Sequence, residues 1–294
     1  MGFRPHTRKY KTLKMIIFKK AADLNDHLKN ERKKGIKAGF VPTMGALHAG
    51  HISLIQASRA TSDLTICSIF VNPRQFNDPK DFEKYPVSIE KDILLLEKQG
   101  TDILFLPTVG EIYPPGEILE NYDIGQLETV LEGRYRPGHF QGVCQVMSRL
   151  LTQIKPDHLF MGQKDFQQCL VVKQLISRMN LPVEFHMAPT SREADGLAMS
   201  SRNSRLSAGQ RKNALAISRA LKYIRDHFAG GDPSEALGKA QHLLDTAGFT
   251  TDYIAIAKVA DLQPVKEWDG REKIIVLIAA FQGEVRLIDN LLLN

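Results

Sequence analysis

Two histidines, His48 and His51, lie three residues apart in the segment PTMGALHAGH, beside Gly45 and Gly50. An apolar run precedes this segment and an amphipathic run follows it, which predicts a strand, a glycine-containing turn and a helix. The amino end of a helix offers free backbone N–H groups and a partial positive charge, so this position favours a phosphate. The H-x-G-H spacing therefore indicates nucleotidyl transfer, in which hydrogen-bond donors stabilise the transition state at the α-phosphate.

Two other readings of the histidine pair stay open at this point. The imidazoles are potential metal ligands, although zinc-binding pairs on helices usually stand at i and i+4 with a third ligand nearby. The motif contains no cysteine or carboxylate that would be that third ligand. Each histidine alone is also compatible with a turn or a helix cap, and the two glycines and the strand–helix context argue against that reading.

Polar side chains in two further segments predict a small-molecule subsite. The segment SIFVNPRQF runs from a strand end into an Asn-Pro turn that projects Asn72 and Gln75, whose neutral amides suit hydroxyl, carboxylate or amine groups. The segment 133–140, GRYRPGHF, is a glycine- and arginine-rich loop before a helix, and arginine pairs with carboxylates bidentately. An Asx-turn with a solvated glutamine, and two solvated arginines, are the corresponding structural alternatives.

Two more segments favour phosphate binding. The sequence GQKDF follows a predicted strand and opens a helix, so Lys164 brings a positive charge to a second strand–helix turn, with Gln168 one turn further on. Asp165 there is equally explained as a helix cap. The polar segment 191–203 carries hydroxyls and Arg202 on a loop that would close over a triphosphate, or it is a solvated linker. The sequence shows no catalytic triad and no P-loop signature.

Alternating apolar and amphipathic segments must position these side chains. The predicted strands are 15–18, 36–41, 64–71, 103–106, 158–161 and 183–187, and the predicted helices are 21–33, 52–62, 89–99, 142–154 and 166–179. The stretch 107–140 between the two sets is predicted to be loop-rich. This alternation predicts an α/β fold, a Rossmann-like doubly wound parallel sheet whose ligand binds at the carboxyl ends of the strands.

The composition changes after Pro189, which predicts a second unit. A helix is predicted over 208–228 and another over 234–247, followed by strands at 253–257, 274–281 and 285–291. We therefore expect a domain at 15–188 and a smaller α+β domain at 189–294. The basic stretch 1–14 precedes a second methionine, Met15, and is predicted to be a disordered extension.

The composition is that of an ordinary globular protein. The chain has 294 residues, with 43% hydrophobic and 7% aromatic residues. The net charge of +6 is spread along the chain, which favours small anionic ligands over nucleic acid. The 3 cysteines show no C-x-x-C spacing and are expected to be buried and reduced. Because no apolar stretch approaches 20 residues, we expect no membrane span or signal peptide, and a cytoplasmic location.

Several of these segments together resemble the pantothenate synthetase family. The motifs PTMGALHxGH, SIFVNPxQF, YP, RPxHFxGV, PDxxFxGxKDxQQ and READGLAMSSRN occur in the family's order, from about residue 15 to residue 294. The resemblance implies a Rossmann-like domain of the nucleotidyl-transferase superfamily, which shares H-x-G-H with class I aminoacyl-tRNA synthetases, plus a small C-terminal lid domain, usually in a homodimer. It also implies ATP-dependent joining of pantoate to β-alanine through a pantoyl adenylate, with Mg²⁺, releasing AMP and pyrophosphate.

The resemblance assigns roles to residues at matching positions. It implies an ATP site lined by Met44, Gly45, Ala46, Leu47, His48, Ala49, Gly50, His51, Gly162, Gln163, Lys164, Asp165, Ser191, Met199, Ser200, Ser201 and Arg202. The residues implied to act on the phosphates are His48, His51 as the proton donor, Lys164, Ser200, Ser201 and Arg202. Those implied to hold the other substrates are Gln75 and Gln168, with Arg136 and His139, for pantoate, and Gln75 with Asn72 for β-alanine. Asp92 matches a position near the family's magnesium ion.

Three positions depart from the family's pattern. Ala49 stands where glutamate is common, Arg74 where an apolar or small residue is common, and Lys91 where some members carry an acid. None of the three replaces an expected ligand, although Lys91 directly precedes Asp92 and Arg74 beside Gln75 bears on affinity for the amine substrate.

Other functions remain as alternatives. An enzyme that adenylates another small acid would keep the same ATP site, and Gln75, Arg136 and Gln168 argue against it. A class I aminoacyl-tRNA synthetase is disfavoured because few residues follow Pro189. A non-catalytic nucleotide sensor is disfavoured by the intact histidine pair.

Overall fold

The computed structural model describes residues 14–294, and the predicted extension 1–14 lies, apart from Lys14, outside them. A six-stranded parallel sheet has the order β1-β4-β3-β2-β5-β6. Its strands are β1 (Ile16–Phe18), β2 (Ala38–Thr43), β3 (Leu64–Ile69), β4 (Ile103–Phe105), β5 (His158–Gly162) and β6 (Glu184–Ala188). The predicted α/β class and parallel sheet are confirmed. Strands of a parallel sheet are buried on both faces by the helices that alternate with them, which explains their apolar sequences.

Eleven helices are described in the same part of the chain, together with short 3-10 turns. The first five are α1 (Ala21–Lys33), α2 (Ala49–Thr61), α3 (Pro79–Glu83), α4 (Ile89–Lys98) and α5 (Val109–Ile112). Three more are α6 (Glu132–Tyr135), α7 (His139–Ile154) and α8 (Phe166–Arg178). The last three are α9 (Ala208–Asn213), α10 (Leu215–His227) and α11 (Ser234–Thr246). No helix among the described residues is long and apolar enough to cross a membrane.

Two helices begin earlier than the sequence pattern predicts. Helix α2 begins at Ala49 rather than at residue 52, because His48 supplies its N-cap. Helix α7 begins at His139 rather than at residue 142, after Gly138, whose φ of 79° lies in the left-handed region that favours glycine. The first turn of α2, Ala49 to His51, carries no large apolar side chain, so apolar periodicity does not report it.

One other prediction of secondary structure is wrong. The single helix predicted over 208–228 is divided at Ala214 into α9 and α10. Helix α9 has no buried residue, so it does not share the apolar face that aligns α10 with the core. The stretch 107–140 is loop-rich, as predicted, and includes the short helices α5 and α6 and a 3-10 turn at Gly125–Glu128.

The C-terminal region, residues 189–294, contains an antiparallel sheet of order β7-β8-β9. Its strands are β7 (Thr250–Lys258), β8 (Ile274–Gln282) and β9 (Val285–Leu292). One face packs against α10 and α11, while Ile275 and Leu277 of β8 join the core of the parallel sheet. Burial on both faces explains the continuous apolar run of β8. Strand β6 ends at Ala188, and a domain boundary at 188/189 stays a prediction, since the two sheets share this core.

A buried ion cluster joins the C-terminal region to the parallel sheet. Arg286 of β9 donates to both carboxylate oxygens of Glu132, at 2.7 and 2.8 Å, and to Asp252 at 2.7 Å. Tyr253 donates to the same Glu132 carboxylate at 2.8 Å. Burial alone would raise the pKa of Glu132, but Arg286, aided by Arg136, lowers it to about 2. The carboxylate therefore stays charged, and the cluster fixes the C-terminal region against α6.

Helix α7 presses closely against the turn after β3 at Gly142. A Cβ atom placed on Gly142 would lie 2.2 Å from the backbone oxygen of Arg74. We expect Gly142→Ala to lower the free energy of unfolding by about 1–3 kcal/mol, because the backbone of one segment must move. The matched control is Gly238→Ala in α11, where a Cβ atom meets nothing within 4 Å. That variant should be more stable by about 0.5–1 kcal/mol in denaturant titration. Equal stability of the two variants would contradict the close contact.

Candidate active site

His48 and His51 cap helix α2 through their ring nitrogens. The Nδ1 of His48 accepts the backbone N–H of Gly50 at 3.2 Å, and the Nδ1 of His51 accepts the backbone N–H of His48 at 3.3 Å. The two rings lie 4.1 Å apart. Because each Nδ1 accepts a hydrogen bond, each neutral ring carries its proton on Nε2, and both rings line a cleft at the carboxyl end of the parallel sheet. The pair therefore offers two N–H donors to a ligand.

Both imidazoles are uncharged in the absence of a ligand. Burial, with a smaller contribution from the Lys164 charge, lowers the pKa of His48 to about 4. Burial, followed by His48 and Lys164, lowers the pKa of His51 to about 3. Both rings are therefore uncharged at neutral pH, and the role of proton donor expected for His51 stays a prediction.

A buried carboxylate holds the turn that leads into α2. Asp92 of α4 is 2% exposed and accepts the backbone N–H of Ala46 at 2.8 Å and that of Leu47 at 2.9 Å. Ser88 donates to the same carboxylate at 3.1 Å. The turn needs this support because Gly45 and Ala46 have φ of 83° and 48°, in the left-handed region, which strains a residue with a side chain.

The magnesium role predicted for Asp92 stays a prediction, and its contacts favour a positioning role. Three donors already share its oxygens, and the side chain is not among the residues that line the cleft. The carboxylate that lines the cleft is that of Asp165, 3.5 Å from the Lys164 ammonium group.

The turn after β3 presents Gln75, and Asn72 supports it from below. Asn72 is 1% exposed; its amide nitrogen donates to Gly142 at 3.0 Å and to the Gln75 side chain at 3.2 Å. Its amide oxygen accepts from Tyr113 at 2.9 Å and from the Arg74 backbone at 3.2 Å. Asn72 lines the cleft, but both ends of its amide are engaged within the protein. The side chain of Gln75 contacts the sulfur of Met44 at 3.0 Å.

Arg136 and His139 hold the backbone of the same turn. The Nδ1 of His139 lies 2.8 Å from the carbonyl oxygen of Gln75, and the Nη1 of Arg136 lies 3.1 Å from the Nε2 of His139. Arginine only donates, so His139 accepts at Nε2 and donates from Nδ1 to Gln75. Burial, with the neighbouring Arg136 charge, lowers the pKa of His139 to about 3, which agrees with this neutral form. Both side chains also line the cleft, where Gln168 joins them.

Strand β9 fixes the turn that carries Lys164. The Asn290 amide nitrogen donates to the carbonyl oxygens of Gln163 and Lys164, each at 2.9 Å, and its oxygen accepts from the Gln163 side chain at 3.2 Å. The adjacent Asp289 accepts two hydrogen bonds from Arg192, at 2.6 and 3.0 Å. Two neighbouring residues of one strand therefore position both the Lys164 turn and the loop after β6.

The loop after β6 reaches back to the histidine turn and to α3. Ser201 donates to the carbonyl oxygen of Ala46 at 3.0 Å, and Ser191 lies 3.2 Å from Ser53 of α2, hydroxyl to hydroxyl. Arg202 donates to both oxygens of Asp81, at 2.7 and 3.3 Å. Arg205 donates to the same carboxylate at 2.6 Å. Arg202 thus lines the cleft while it is paired with an internal counter-ion.

One cleft brings together most of the side chains singled out in the sequence. The predicted residues that line it are Met44, His48, Gly50, His51, Asn72, Gln75, Arg136, His139, Gly162, Lys164, Asp165, Gln168, Ser191, Met199, Ser200, Ser201 and Arg202. The predicted residues outside this lining are Gly45, Ala46, Leu47, Ala49, Gln163 and Asp92. Several of the latter group support the lining through backbone hydrogen bonds.

Sequence reasoning missed the residues that position this lining. Asp81, Glu132, Arg286, Asp289 and Asn290 all hold it or its supports. One signal was available for the last two. Asp289 and Asn290 are consecutive polar residues in an apolar strand, so one of them must face inwards, where it needs a partner.

The fold combines a parallel α/β sheet, a histidine-capped helix at the carboxyl edge of that sheet, and a smaller covering region with an antiparallel sheet. These features define an H-x-G-H protein of the Rossmann-like class. Comparison with protein families identifies the branch of this class. The family model described as Pantoate-beta-alanine ligase matches residues 16–292, and the chain belongs to that family.

Curated relatives and solved structures agree with this family. The chain is 45% identical to the pantothenate synthetase of Cytophaga hutchinsonii, covering 95% of this chain and 99% of the relative. The crystal structure of pantothenate synthetase from Thermus thermophilus superposes with a TM-score of 0.87 at 39% identity, covering 94% of this chain and 99% of that one. The pantoate-beta-alanine ligase of Francisella tularensis, complexed with beta-gamma ATP and beta-alanine, gives 0.80 at 36% identity, covering 95% and 97%.

The contacts of Asp92 predict a specific defect in Asp92→Asn. An amide has one accepting oxygen, so one of the Ala46 and Leu47 N–H groups loses its partner and the strained turn loosens. We expect the KM for ATP to rise about tenfold or more, since a misplaced donor costs about 1.4 kcal/mol or more. Steady-state kinetics with varied ATP measures this effect.

Asp157→Asn is the matched control. Asp157 also accepts a backbone N–H, from Ala38 at 2.8 Å, but it stands at the amino edge of the parallel sheet, away from the cleft. This variant should lose stability with little change in the KM for ATP. Equal ATP kinetics in the two variants would contradict the positioning role of Asp92, and an increased requirement for Mg²⁺ in Asp92→Asn would support the metal role instead.

Proposed function

We propose that this chain condenses pantoate with β-alanine in an ATP-dependent reaction that passes through pantoyl adenylate and yields pantothenate, AMP and pyrophosphate. One observation carries the proposal: side chains that suit phosphates, and amide side chains that suit carboxylate, hydroxyl or amine groups, line the same cleft. His48, His51 and Lys164 form the first group, and Gln75 and Gln168 form the second. The family and its relatives support the same reaction. Such a ligase would serve the biosynthesis of pantothenate and, through it, of coenzyme A.

In the first step a pantoate carboxylate oxygen attacks the α-phosphorus of ATP, and the bond to the bridging oxygen of pyrophosphate breaks. Charge moves onto the departing pyrophosphate, so donors aimed at the phosphates lower the barrier. The Nε2–H groups of His48 and His51, the Lys164 ammonium group, and Ser200, Ser201 and Arg202 are the proposed donors. Gln75 and Gln168 hold the pantoate carboxylate and hydroxyl groups in line with the phosphorus.

In the second step the β-alanine amine, in its neutral form, attacks the activated carbonyl carbon. The amide bond forms, AMP leaves, and the amine gives up a proton to balance the charge. Gln75 and Asn72 border the proposed β-alanine site, and Arg136 with His139 fixes the Gln75 backbone. No covalent enzyme intermediate is needed. Burial raises the pKa of Cys67 and of Cys144 to about 12, so these thiols are poor nucleophiles.

Magnesium enters the proposal as the ion that ATP carries. When bound, it would neutralise part of the triphosphate charge, and it usually keeps several waters with few protein ligands. Asp165, half exposed in the cleft beside Lys164, is the carboxylate placed to share it. A homodimer and a cytoplasmic location complete the proposal. The first rests on the family resemblance, and the second is supported by three cysteines that are free and buried.

The test of the proposed function separates the two half-reactions. Exchange of labelled pyrophosphate into ATP should require pantoate, and AMP release should then require β-alanine. Exchange with a different acid, and none with pantoate, would replace the substrate and keep the ATP site. ATP binding without exchange for any acid would favour the nucleotide-sensor alternative.

Substitution of either of two side chains proposed to donate hydrogen bonds to the phosphates should lower the rate of the first half-reaction strongly. We expect His48→Ala and Lys164→Ala each to lower the rate of adenylate formation by about 10²-fold or more, because each removes a donor to the developing charge. The matched controls are His242→Ala and Lys173→Ala, which change exposed residues outside the cleft. Single-turnover measurement of pyrophosphate release gives the rates. A near-normal rate for either cleft variant would remove that residue from the proposed machinery.

Substitution of Gln75 should change the KM values for the substrates other than ATP. Gln75→Ala removes the amide between Met44 and the cleft while the backbone contacts to Arg136 and His139 can persist. We expect the KM for pantoate or β-alanine to rise about tenfold, with the KM for ATP changed much less. Initial-rate kinetics with each substrate varied in turn checks this. Unchanged KM values for both acids would place Gln75 outside the substrate site.

A further inference from the structure

Three metal-binding side chains converge at the edge of the parallel sheet opposite the cleft. They are His158, the first residue of β5, and Glu184 and His186 of the neighbouring strand β6. In the parallel register His158 pairs with Glu184, and Phe160 pairs with His186, so side chains two residues apart share one face. Among the described residues, these three side chains form the one cluster of three or more histidine, cysteine or carboxylate groups that could hold a metal ion.

The separations between the three ligand atoms fit one metal ion. The Nδ1 of His158 lies 3.1 Å from the Nε2 of His186, and a Glu184 carboxylate oxygen lies 3.3 Å from that Nδ1. The other Glu184 oxygen lies 3.5 Å from the His186 Nε2. Tetrahedral coordination at about 2.0–2.1 Å places neighbouring ligand atoms about 3.3 Å apart. The two imidazole nitrogens therefore already stand at about the separation that such an ion requires, and each has a Glu184 oxygen within 3.5 Å.

The surroundings hold the two histidine rings in place and leave the Glu184 side of the cluster open to solvent. The His186 ring stacks on Phe160 at 4.6 Å between centroids, with 9° between the planes. His158 is 9% exposed, so its ring has little freedom. The Glu184 side chain is 65% exposed, so solvent has access to a fourth coordination position. Two rigid imidazoles and one adjustable carboxylate form the His₂Glu donor set that is typical of Zn²⁺.

We propose that His158, Glu184 and His186 bind a divalent transition-metal ion, Zn²⁺ in the first instance, with water in the fourth position. The ion does not take part in the ligase reaction. His158 and Gly162 stand at opposite ends of β5, about 13 Å apart at the usual rise per residue, and the cleft lies at the Gly162 end. The site ties β6, the edge strand of the sheet, to β5.

This tie bears on the loop that follows β6. The strand ends at Ala188, and Ser191 and Ser200 of the next segment line the cleft. An ion that binds the folded chain and not the unfolded one shifts the equilibrium toward the folded form. The proposed site therefore stabilises strand β6 at the edge of the sheet, from which the loop after β6 continues to the cleft.

The experiment measures Zn²⁺ binding to the full-length protein after treatment with a chelator and dialysis. Calorimetric titration should give one tight site per chain, and the wild-type Tm should rise by about 5 °C at 100-fold excess over Kd. Co²⁺ in place of Zn²⁺ should give the visible absorption of a four-coordinate ion. Glu184→Gln and His186→Ala should each weaken Zn²⁺ binding at least tenfold and reduce the Tm shift accordingly.

His242→Ala, which changes an exposed histidine of α11, is the matched control and should bind as the wild type does. Glu184 is exposed, so Glu184→Gln is expected to fold even if a histidine variant does not. Tight binding that survives unchanged in both Glu184→Gln and His186→Ala would place the ion elsewhere and overturn the proposal. Absence of a tight site in the wild type, or a Co²⁺ spectrum of a fully hydrated ion, would overturn it as well.

Discussion

The turn between β2 and α2 depends on the buried carboxylate of Asp92. A left-handed pair of residues is costly in free energy unless its surroundings determine it, and two backbone N–H groups of the turn find their acceptors on that carboxylate. The turn in turn fixes where α2 begins and where His48 points. The carbonyl oxygen of Ala46 in the same turn receives Ser201, so the loop after β6 is also built on it.

Strand β9 of the C-terminal region supports the cleft rather than lining it. Strand β9 carries Arg286, Asp289 and Asn290, which reach α6, the loop after β6 and the Lys164 turn respectively. Buried charges of this kind are costly unless they are paired, and here Arg286 is paired with Glu132 and Asp289 with Arg192. Movement of the C-terminal region relative to the parallel sheet therefore requires several of these contacts to break together.

The sequence was sufficient for the parallel sheet, because apolar strands and amphipathic helices alternate with clear periods. The cleft residues were also found, because they follow strand ends where ligands of such sheets bind. The structural supports were not found, because they act over long sequence separations. Glu132 sits in a stretch predicted to be loop, and its main partner, Arg286, stands 154 residues away. The start of α2 was misplaced because histidines rather than serine or aspartate supply its cap.

The pairing of Arg202 with Asp81 has a consequence for the charge of the cleft through a catalytic cycle. A guanidinium group that is 21% exposed already has its counter-ion before any nucleotide arrives. In the proposed reaction, a phosphate bound by Arg202 would replace Asp81 as its anionic partner, and release of pyrophosphate would restore the pair with Asp81. Asp81 would then compete with the product for the same guanidinium group, so this ion pair would favour release of pyrophosphate from the cleft.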